Sequence, residues 1–215
     1  MDSVKVGIAG LGTVGSGTVN VLKRNARDIA RRVGRPIEIT HIGARRDNPA
    51  CDTQGIRLSR DIFAVATDPD IDILVELIGG IDTARELVLT AIKNGKHIVT
   101  ANKALIAEHG NEIFQAAQDN GVEVAFEASV AGGIPILKSL GEGLAANHIN
   151  WLAGIINGTG NFILTEMEEG GRAFKDVLDE AQQLGYAEAD PTFDIEGVDA
   201  AHKLAILAGI GFGAR

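Results

Sequence analysis

A glycine-rich turn at residues 10–15, Gly-Leu-Gly-Thr-Val-Gly, most constrains the fold of this chain. It follows the apolar run VKVGIA at residues 4–9, and apolar residues then recur at helical spacing. A strand, a G-x-G-x-x-G turn and a helix in this order begin a dinucleotide-binding βαβ unit. In that unit Gly10 permits a tight turn, Gly12 lets the backbone approach a pyrophosphate, and Gly15 lets helix and strand pack closely. A plain glycine-rich βα turn is the alternative.

Further strands and helices alternate along the first part of the chain. The pattern predicts one helix over residues 14–33 and others over 83–94 and 109–119. Strands are predicted at residues 37–43, 72–78, 97–100 and 122–128. Such alternation is typical of an α/β protein with a parallel sheet. We therefore predict a Rossmann-type, doubly wound parallel sheet in an NAD(P)-binding domain over residues 1–130.

The character of the sequence changes after residue 130. The cluster Ala-Gly-Gly-Ile-Pro at residues 131–135 breaks regular structure, and a helix is predicted from there to about residue 144. Residues 149–156 resemble a strand, and the polar residues 157–161 resemble a turn. Helices are predicted over 173–184 and from Gly197 onward. We interpret residues 131–215 as a partial α+β catalytic domain.

Composition excludes several classes of function. The net charge is −9 and only 9 of 215 residues are aromatic, which argues against a nucleic-acid partner. The amino terminus lacks the basic and apolar regions of a signal peptide, and the longest uncharged apolar run near the end has 11 residues, against about 20 for a membrane span. The single Cys51 fits a reducing compartment. We expect a soluble cytoplasmic protein with no membrane partner.

The end of the second predicted strand indicates which cofactor binds. Enzymes specific for NAD usually carry an acidic residue there, which binds the ribose 2′-hydroxyl. This chain has Arg45 and Arg46 instead, followed by Asp47. An arginine can bind a 2′-phosphate through two hydrogen bonds. The sequence therefore favours NADP over NAD, with two solvent-facing arginines as the alternative.

Two segments carry candidate catalytic groups. Lys103 follows the predicted strand 97–100, at the sheet edge where ligands bind, although a surface lysine is equally compatible with the sequence. The segment 185–199 holds five carboxylates, and Asp199 shares a helix face with Lys203. An acid-rich helix start with an ordinary ion pair explains this spacing. A site for an amine-bearing substrate, with Lys203 as proton carrier, explains it as well.

Several segments together resemble the homoserine dehydrogenase family over essentially the whole chain. They are GLGTVG at 10–15, TANKALIAEHG at 100–110, FEASVAGGIPIL at 126–137, NGTGNFIL at 157–164, and GYAEADPTFDIEGVDAAHKLAILA at 185–208. The resemblance implies interconversion of L-homoserine and L-aspartate 4-semialdehyde with NAD or NADP. That reaction lies on the biosynthetic route to threonine and methionine.

The resemblance also implies roles for individual residues. Lys203 would give and take the proton at the substrate oxygen, with Asp194 beside it. Glu188 would hold the substrate amino group with help from Asp199, and Lys103 would contact the cofactor and the reacting oxygen. The cofactor-binding set is Gly10, Gly12, Thr13, Val14, Gly15, Arg45, Arg46, Gly79, Lys103 and Gly185. A monovalent cation, Na⁺, would be held by the Glu127 carboxylate and the main-chain carbonyls of Val130, Gly132 and Ile134.

The chain is shorter than members of that family, which continue for roughly another hundred residues. We therefore expect a fragment of a longer protein, which as a whole would form a homo-oligomer, a dimer or a tetramer. Three hypotheses follow: a homoserine dehydrogenase, an NADP-binding fragment without activity, and a dehydrogenase of similar plan acting on a sugar or another amino acid. The segments 185–190 and 199–203 argue against the third.

Overall fold

A computed structural model describes residues 2–214 of the chain. The chain divides into two compact units, Met1–Gly132 and Gly133–Arg215. No helix in the part of the chain that the structure describes is long and apolar enough to cross a membrane.

The first unit is built on a six-stranded sheet in the order β3-β2-β1-β4-β5-β6. All of its neighbouring strands are parallel. This is the strand order of the Rossmann fold, so the predicted doubly wound α/β class is confirmed. The strands are β1 Val4–Ala9, β2 Ile37–Gly43, β3 Arg57–Ser59, β4 Ile73–Glu76, β5 His97–Thr100 and β6 Val124–Ala125.

Helices cover both faces of this sheet. They are α1 Thr13–Arg24, α2 Ala26–Val33, α3 Phe63–Ala66, α4 Asp82–Lys93 and α5 Lys103–Asn120. Successive strand residues point to opposite faces, and accordingly Leu74 and Val75 of β4 belong to different apolar clusters. Leu74 packs in the cluster that contains α3, α4 and α5 residues, whereas Val75 packs in the cluster that contains Val19 of α1.

The structure differs from the sequence prediction at several boundaries in this unit. The helix predicted over residues 14–33 is two helices that meet at Asn25. Strand β3 and helix α3 were not predicted, since a three-residue edge strand shows no apolar period. Helix α5 begins six residues before its predicted start because Asn102 caps it, its Oδ1 accepting from the Leu105 N–H at 3.1 Å.

Lys96 is buried in this unit, with 2% of its surface exposed. Its Nζ donates to the main-chain carbonyl of Ile71 at 2.9 Å and to that of Asp68. Burial lowers the pKa of the Lys96 ammonium, because desolvation disfavours the charged form. The side chain therefore fastens the loop that leads from α3 into β4.

Replacing Lys96 with methionine is expected to lower the free energy of unfolding by about 2 kcal/mol, because two buried carbonyls lose their donor. Urea denaturation measures the change. The matched control is Lys93→Met on the exposed face of α4, which should alter stability by less than about 0.5 kcal/mol. Equal effects of the two substitutions would contradict the anchoring role of Lys96.

The second unit is helical over its described residues. Its helices are α6 Ile136–Lys138, continued by a π-helical turn over Ser139–Gly143, then α7 Gly158–Gly170, α8 Phe174–Gln183, α9 Thr192–Ile195 and α10 Val198–Phe212. The predicted helices over 173–184 and from Gly197 are confirmed within a residue or two.

Two predictions for this unit are wrong. Residues 149–156 form no strand, and residues 133–214 contain none. A strand needs a neighbour for its N–H and C=O groups, and no other described segment of the unit supplies one. Residues 157–161 are not a turn but the start of α7, because the Asn157 Oδ1 accepts from the Gly160 N–H at 2.6 Å and caps the helix.

Candidate active site

A cavity of about 880 Å³ opens in the first unit at the ends of β1, β2 and β4. Ligands of doubly wound sheets bind at this edge, where the order of the strands reverses. Its walls are the glycine-rich turn, the segment that follows β2, the residues between β3 and α3, and the end of β4. The cavity residues are Gly10, Leu11, Gly12, Gly43, Ala44, Arg45, Arg46, Asp47, Asn48, Pro49, Arg60, Asp61, Ile62, Phe63, Leu77, Ile78, Gly79 and Thr83.

The three glycines of the turn have different surroundings. Gly10 has a φ of +103°, and a Cβ there would collide with the main-chain carbonyl of Leu77. A Cβ on Gly15 would collide with the carbonyl of Gly10. A Cβ on Gly12 would meet no atom within 4 Å, so the open side of the turn lies at Gly12. The residues present fit a dinucleotide, since the start of α1 carries no side-chain cap and can present its N–H groups to a pyrophosphate.

These surroundings predict that alanine at Gly12 impairs cofactor binding, whereas alanine at Gly15 impairs stability. Gly12→Ala is expected to leave the thermal unfolding temperature unchanged and to weaken NADPH binding about tenfold or more, because the methyl group occupies the space that the pyrophosphate needs. Gly15→Ala is expected to lower the unfolding temperature, because α1 must move away from β1. NADPH fluorescence titration and thermal unfolding of both variants test this; an equally stable Gly15→Ala variant would contradict it.

The predicted arginines lie on the cavity wall, together with one that the sequence did not reveal. Arg45 and Arg46 are exposed and have no ion-pair partner among the described residues. Arg60 donates to both carboxylate oxygens of Asp47, at 2.9 and 3.0 Å, and to the Ala44 carbonyl at 3.2 Å. The acidic residue nearest the end of β2 is therefore already paired. Arg60 could not be found from the sequence because it follows the unpredicted strand β3.

Lys103 is the first residue of α5. The loop that precedes it is held in place by hydrogen bonds that lead to a buried carboxylate. Glu76 at the end of β4 is fully buried, and its Oε2 accepts from the Thr100 Oγ1 at 2.6 Å. The Thr100 hydroxyl in turn accepts from the Asn102 N–H at 3.0 Å, and the Asn102 Nδ2 donates to the Gly80 carbonyl at 2.6 Å. These bonds hold the loops that follow β4 and β5 together. Glu76 could not be recognised as a site residue from the sequence, because it stands within the otherwise apolar run of residues 72–78.

The second unit brings three of the predicted catalytic and substrate residues together. The Lys203 Nζ donates to the Asp199 Oδ2 at 2.6 Å and to the Ile156 carbonyl at 2.6 Å. Side chains of both residues are largely buried, with 20% exposed for Lys203 and 10% for Asp199. Asp194 joins through Asn157, which donates to the carboxylates of Asp194 and Asp199. We call these four residues, Asn157, Asp194, Asp199 and Lys203, the lysine–carboxylate cluster.

Glu188 and Gly185 lie in the loop that follows α8. Gly185 has a φ of +76°, a conformation that glycine adopts without strain. Glu188 is exposed, and its main-chain carbonyl accepts from the Gln182 Nε2 at 2.9 Å. No hydrogen bond among the described residues joins the Glu188 carboxylate to the lysine–carboxylate cluster, so its predicted role at the substrate amino group stays a prediction.

The predicted cation ligands lie close together in the sequence, within residues 127–134. Glu127 lies in a 3-10 turn over Glu127–Ser129, Val130 is buried, and Gly132 and Ile134 lie on opposite sides of the boundary between the two units. Among the described residues no group of three or more histidine, cysteine or acidic side chains could hold a metal ion. The predicted set depends on a single carboxylate and main-chain carbonyls, and it stays a prediction.

The Rossmann sheet and its glycine-lined cavity define a dinucleotide-binding protein of the dehydrogenase class. Comparison with known proteins gives the family. Residues 10–127 match the family described as "Homoserine dehydrogenase, NAD binding domain", and residues 135–215 match the family described as "Homoserine dehydrogenase". The chain belongs to the homoserine dehydrogenase family, as the resemblance in the sequence implied.

Individual relatives agree with this assignment. A homoserine dehydrogenase of Pseudomonas aeruginosa is 70% identical over 213 residues, which are 99% of this chain and 49% of that protein. The crystal structure of one from Thiobacillus denitrificans matches with a TM-score of 0.91 and 61% identity, over 100% of this chain and 50% of that one. A hyperthermophilic archaeal homoserine dehydrogenase in complex with NADPH matches with a TM-score of 0.84 and 28% identity, over 99% and 71%.

The chain thus spans about half the length of the curated relatives that it matches. Those relatives are oxidoreductases with a nicotinamide-cofactor domain, and this chain contains the corresponding domain.

Proposed function

We propose that this chain carries the cofactor site and the proton-transfer site of an NADP-dependent enzyme that interconverts L-homoserine and L-aspartate 4-semialdehyde. The observation that carries the proposal is the bonded pair of Lys203 and Asp199, within the segment that matches the family's catalytic region. The product would enter the biosynthesis of threonine and methionine, and the enzyme would act in the cytoplasm.

Lys203 has the chemistry needed for proton transfer. The bound nicotinamide would supply or accept the hydride at C4 of the substrate. Two of the three N–H groups of the Lys203 ammonium are bonded, to Asp199 and to the Ile156 carbonyl. The third has no partner among the described residues and can donate to the substrate oxygen. During reduction of the aldehyde, Lys203 as ammonium donates a proton to the developing alkoxide, and during oxidation of the alcohol neutral Lys203 accepts it.

Carboxylates near Lys203 suit a substrate that carries an ammonium group. Asp194 and Asp199 both accept from the Asn157 side chain, which places two negative groups at one site. We propose that Asp194 supports the reacting centre, and that Glu188 and Asp199 bind the substrate amino group. We propose that Lys103, at the start of α5, contacts the cofactor and the reacting oxygen.

The cavity in the first unit supports NADP as the preferred cofactor. Arg45 and Arg46 present two cations without carboxylate partners among the described residues, whereas Asp47 is paired with Arg60. A 2′-phosphate would find donors here, and a 2′-hydroxyl would find its usual acidic partner occupied. The rest of the proposed cofactor set is Gly10, Gly12, Thr13, Val14, Gly15, Gly79 and Gly185.

The direct test is oxidation of NADPH by this chain in the presence of aspartate 4-semialdehyde, followed by the loss of reduced-nicotinamide absorbance, with NADH measured in parallel. Steady turnover with NADPH, faster than with NADH, is the expected result. Turnover with a sugar or another amino-acid aldehyde, but not with this substrate, would contradict the proposal.

A second candidate function follows from the length of the chain, which is about half that of its relatives. In this case the chain binds NADPH but needs the rest of the protein to complete the site. NADPH binding without turnover would distinguish it from the first. For the whole protein we propose a homo-oligomer, a dimer or a tetramer, and a monovalent cation such as Na⁺ at Glu127, Val130, Gly132 and Ile134.

A further inference from the structure

Asn157 is the uncharged member of the lysine–carboxylate cluster. Its side chain is bonded to both carboxylates of the cluster, one from α9 and one from α10. Its Nδ2 donates to the Asp194 Oδ1 of α9 at 2.7 Å and to the Asp199 Oδ2 of α10 at 3.0 Å. Its Oδ1 accepts from the Gly160 N–H at 2.6 Å. The preceding carbonyl, of Ile156, accepts from the Lys203 Nζ.

The orientation of the Asn157 amide follows from these partners. A main-chain N–H can only donate, so the oxygen of the amide must face Gly160. Ionised carboxylates can only accept, so the NH₂ group must face Asp194 and Asp199. Both hydrogens of the amide are thereby used, one on each carboxylate. An aspartate at this position would keep the helix cap but turn an oxygen toward two carboxylates.

The two bonds from Asn157 constrain the carboxylate that touches Lys203. The Asp199 Oδ2 accepts from both the Asn157 Nδ2 and the Lys203 Nζ, at 3.0 and 2.6 Å. With the amide in place, Asp199 has a fixed direction and the Lys203 ammonium is directed by two fixed acceptors, Asp199 and the Ile156 carbonyl. Without the amide, Asp199 loses one of the donors that fix its direction relative to Lys203.

We propose that Asn157 is a positioning residue, which fixes Asp194 and Asp199 and through Asp199 orients Lys203 for proton transfer. This inference rests on the proposed function, because orientation matters only where Lys203 transfers a proton. A cap role alone would require only the Oδ1 of Asn157, so the two roles can be separated by substitution.

The experiment compares Asn157→Ser and Asn157→Asp, which both keep a capping oxygen. The readout is the pH midpoint at which Lys203 becomes reactive toward acetic anhydride, measured by mass spectrometry of its peptide, which needs no turnover. The charged groups bonded to Asn157 are Asp194 from α9 and Asp199 from α10, and Lys203 of α10 is bonded to Asp199 and to the Ile156 carbonyl. We expect Asn157→Ser to lower the midpoint, because Asp199 loses one of the donors that hold it beside Lys203, and Asn157→Asp to raise it, each by about one pH unit.

The matched control is Asn147→Asp, which adds the same charge at an exposed position of the same unit and should leave the midpoint unchanged. Where the wild-type chain turns over, both Asn157 variants should also lower kcat about tenfold or more with an unchanged Kd for NADPH. Absence of wild-type turnover would count against the proposed function alone, since the labelling midpoint reports on Asn157 independently.

An unchanged midpoint in Asn157→Ser would overturn the inference and leave Asn157 as a helix cap. Thermal unfolding of each variant shows whether it is folded. If neither variant folds, NMR of the unmodified chain decides: the side-chain amide protons of Asn157 should shift as the two carboxylates are protonated, and amide protons that do not respond would overturn the proposal.

Discussion

Lys203→Ala is expected to lower kcat for both directions of the proposed reaction by about 10²- to 10⁴-fold, the usual range for loss of a general acid–base group. The reason is the position of the Lys203 Nζ, bonded to Asp199 and to the Ile156 carbonyl with one N–H left for substrate. The Kd for NADPH should stay within about twofold, because a residue acting in the transition state contributes little to cofactor binding. Steady-state kinetics and NADPH titration measure both quantities.

Two controls separate chemistry from charge. Lys175→Ala removes an exposed lysine from α8 in the same unit and should leave turnover unchanged. Lys203→Arg keeps the positive charge but replaces a group that releases its proton with one that stays protonated, so it should be nearly as inactive as Lys203→Ala. In the wild type, oxidation should slow at low pH and reduction at high pH. Retention of most turnover by Lys203→Ala would remove this residue from the chemistry.

The double substitution Arg45→Ala and Arg46→Ala is expected to raise the Kd for NADPH about 100-fold and the Kd for NADH less than about twofold. Each charge-assisted hydrogen bond to a phosphate contributes about 1.5–3 kcal/mol, and exposure to solvent at these two arginines reduces that contribution. Fluorescence titration with the two reduced cofactors measures the change. In the wild type, NADPH affinity should fall with added salt more steeply than NADH affinity.

The matched control removes Arg27 and Arg32 of α2, two exposed arginines outside the cavity, and should change neither affinity beyond the general effect of net charge. Arg60→Ala provides a further comparison, because it removes a cavity cation and also releases Asp47 from its pair. We expect Arg60→Ala to weaken the binding of NADPH and to strengthen the binding of NADH. Equal losses of affinity for NADPH and NADH in the variant lacking Arg45 and Arg46 would contradict the proposal that NADP is the preferred cofactor.

The elements that the sequence predicted well share a physical cause. Strands β1, β2 and β5 have the bounds that the sequence indicated, because each supplies apolar residues that the core requires, among them Ile8, Ile42 and Ile98. Strand β3 has no such requirement, since it lies at the edge of the sheet and consists of Arg57, Leu58 and Ser59. Apolar periodicity therefore identifies the interior of the sheet and fails at its margin.

The misassigned stretch at residues 149–156 shows a different limit. Its composition suits a strand, but a strand exists only with a hydrogen-bonded neighbour, and the described residues of the second unit supply none. Trp151 and Ile155 in this stretch are 76% and 77% exposed. Local composition does not show whether a neighbouring strand is present, so the strand predicted from composition alone was wrong.

The candidate site was predictable only where residues lie close together in sequence or carry a motif. Asp199 and Lys203 are four residues apart on one helix, and the structure joins them. Asn157 lies 37 and 42 residues from the two carboxylates that it binds, and nothing in the spacing reveals those contacts. Arg60 was equally hidden, because its partner Asp47 lies 13 residues away across an unpredicted strand.

The bonds around Glu76 have a consequence for how this protein can vary. One buried carboxylate holds the Thr100 hydroxyl, and the Asn102 amide reaches across to the Gly80 carbonyl. These hydrogen bonds couple the loop that follows β4 to the loop that follows β5, so that the two loops move together. A substitution that displaces Gly80 will carry Lys103 with it, so tolerated changes at one loop must be accompanied by compensating changes at the other.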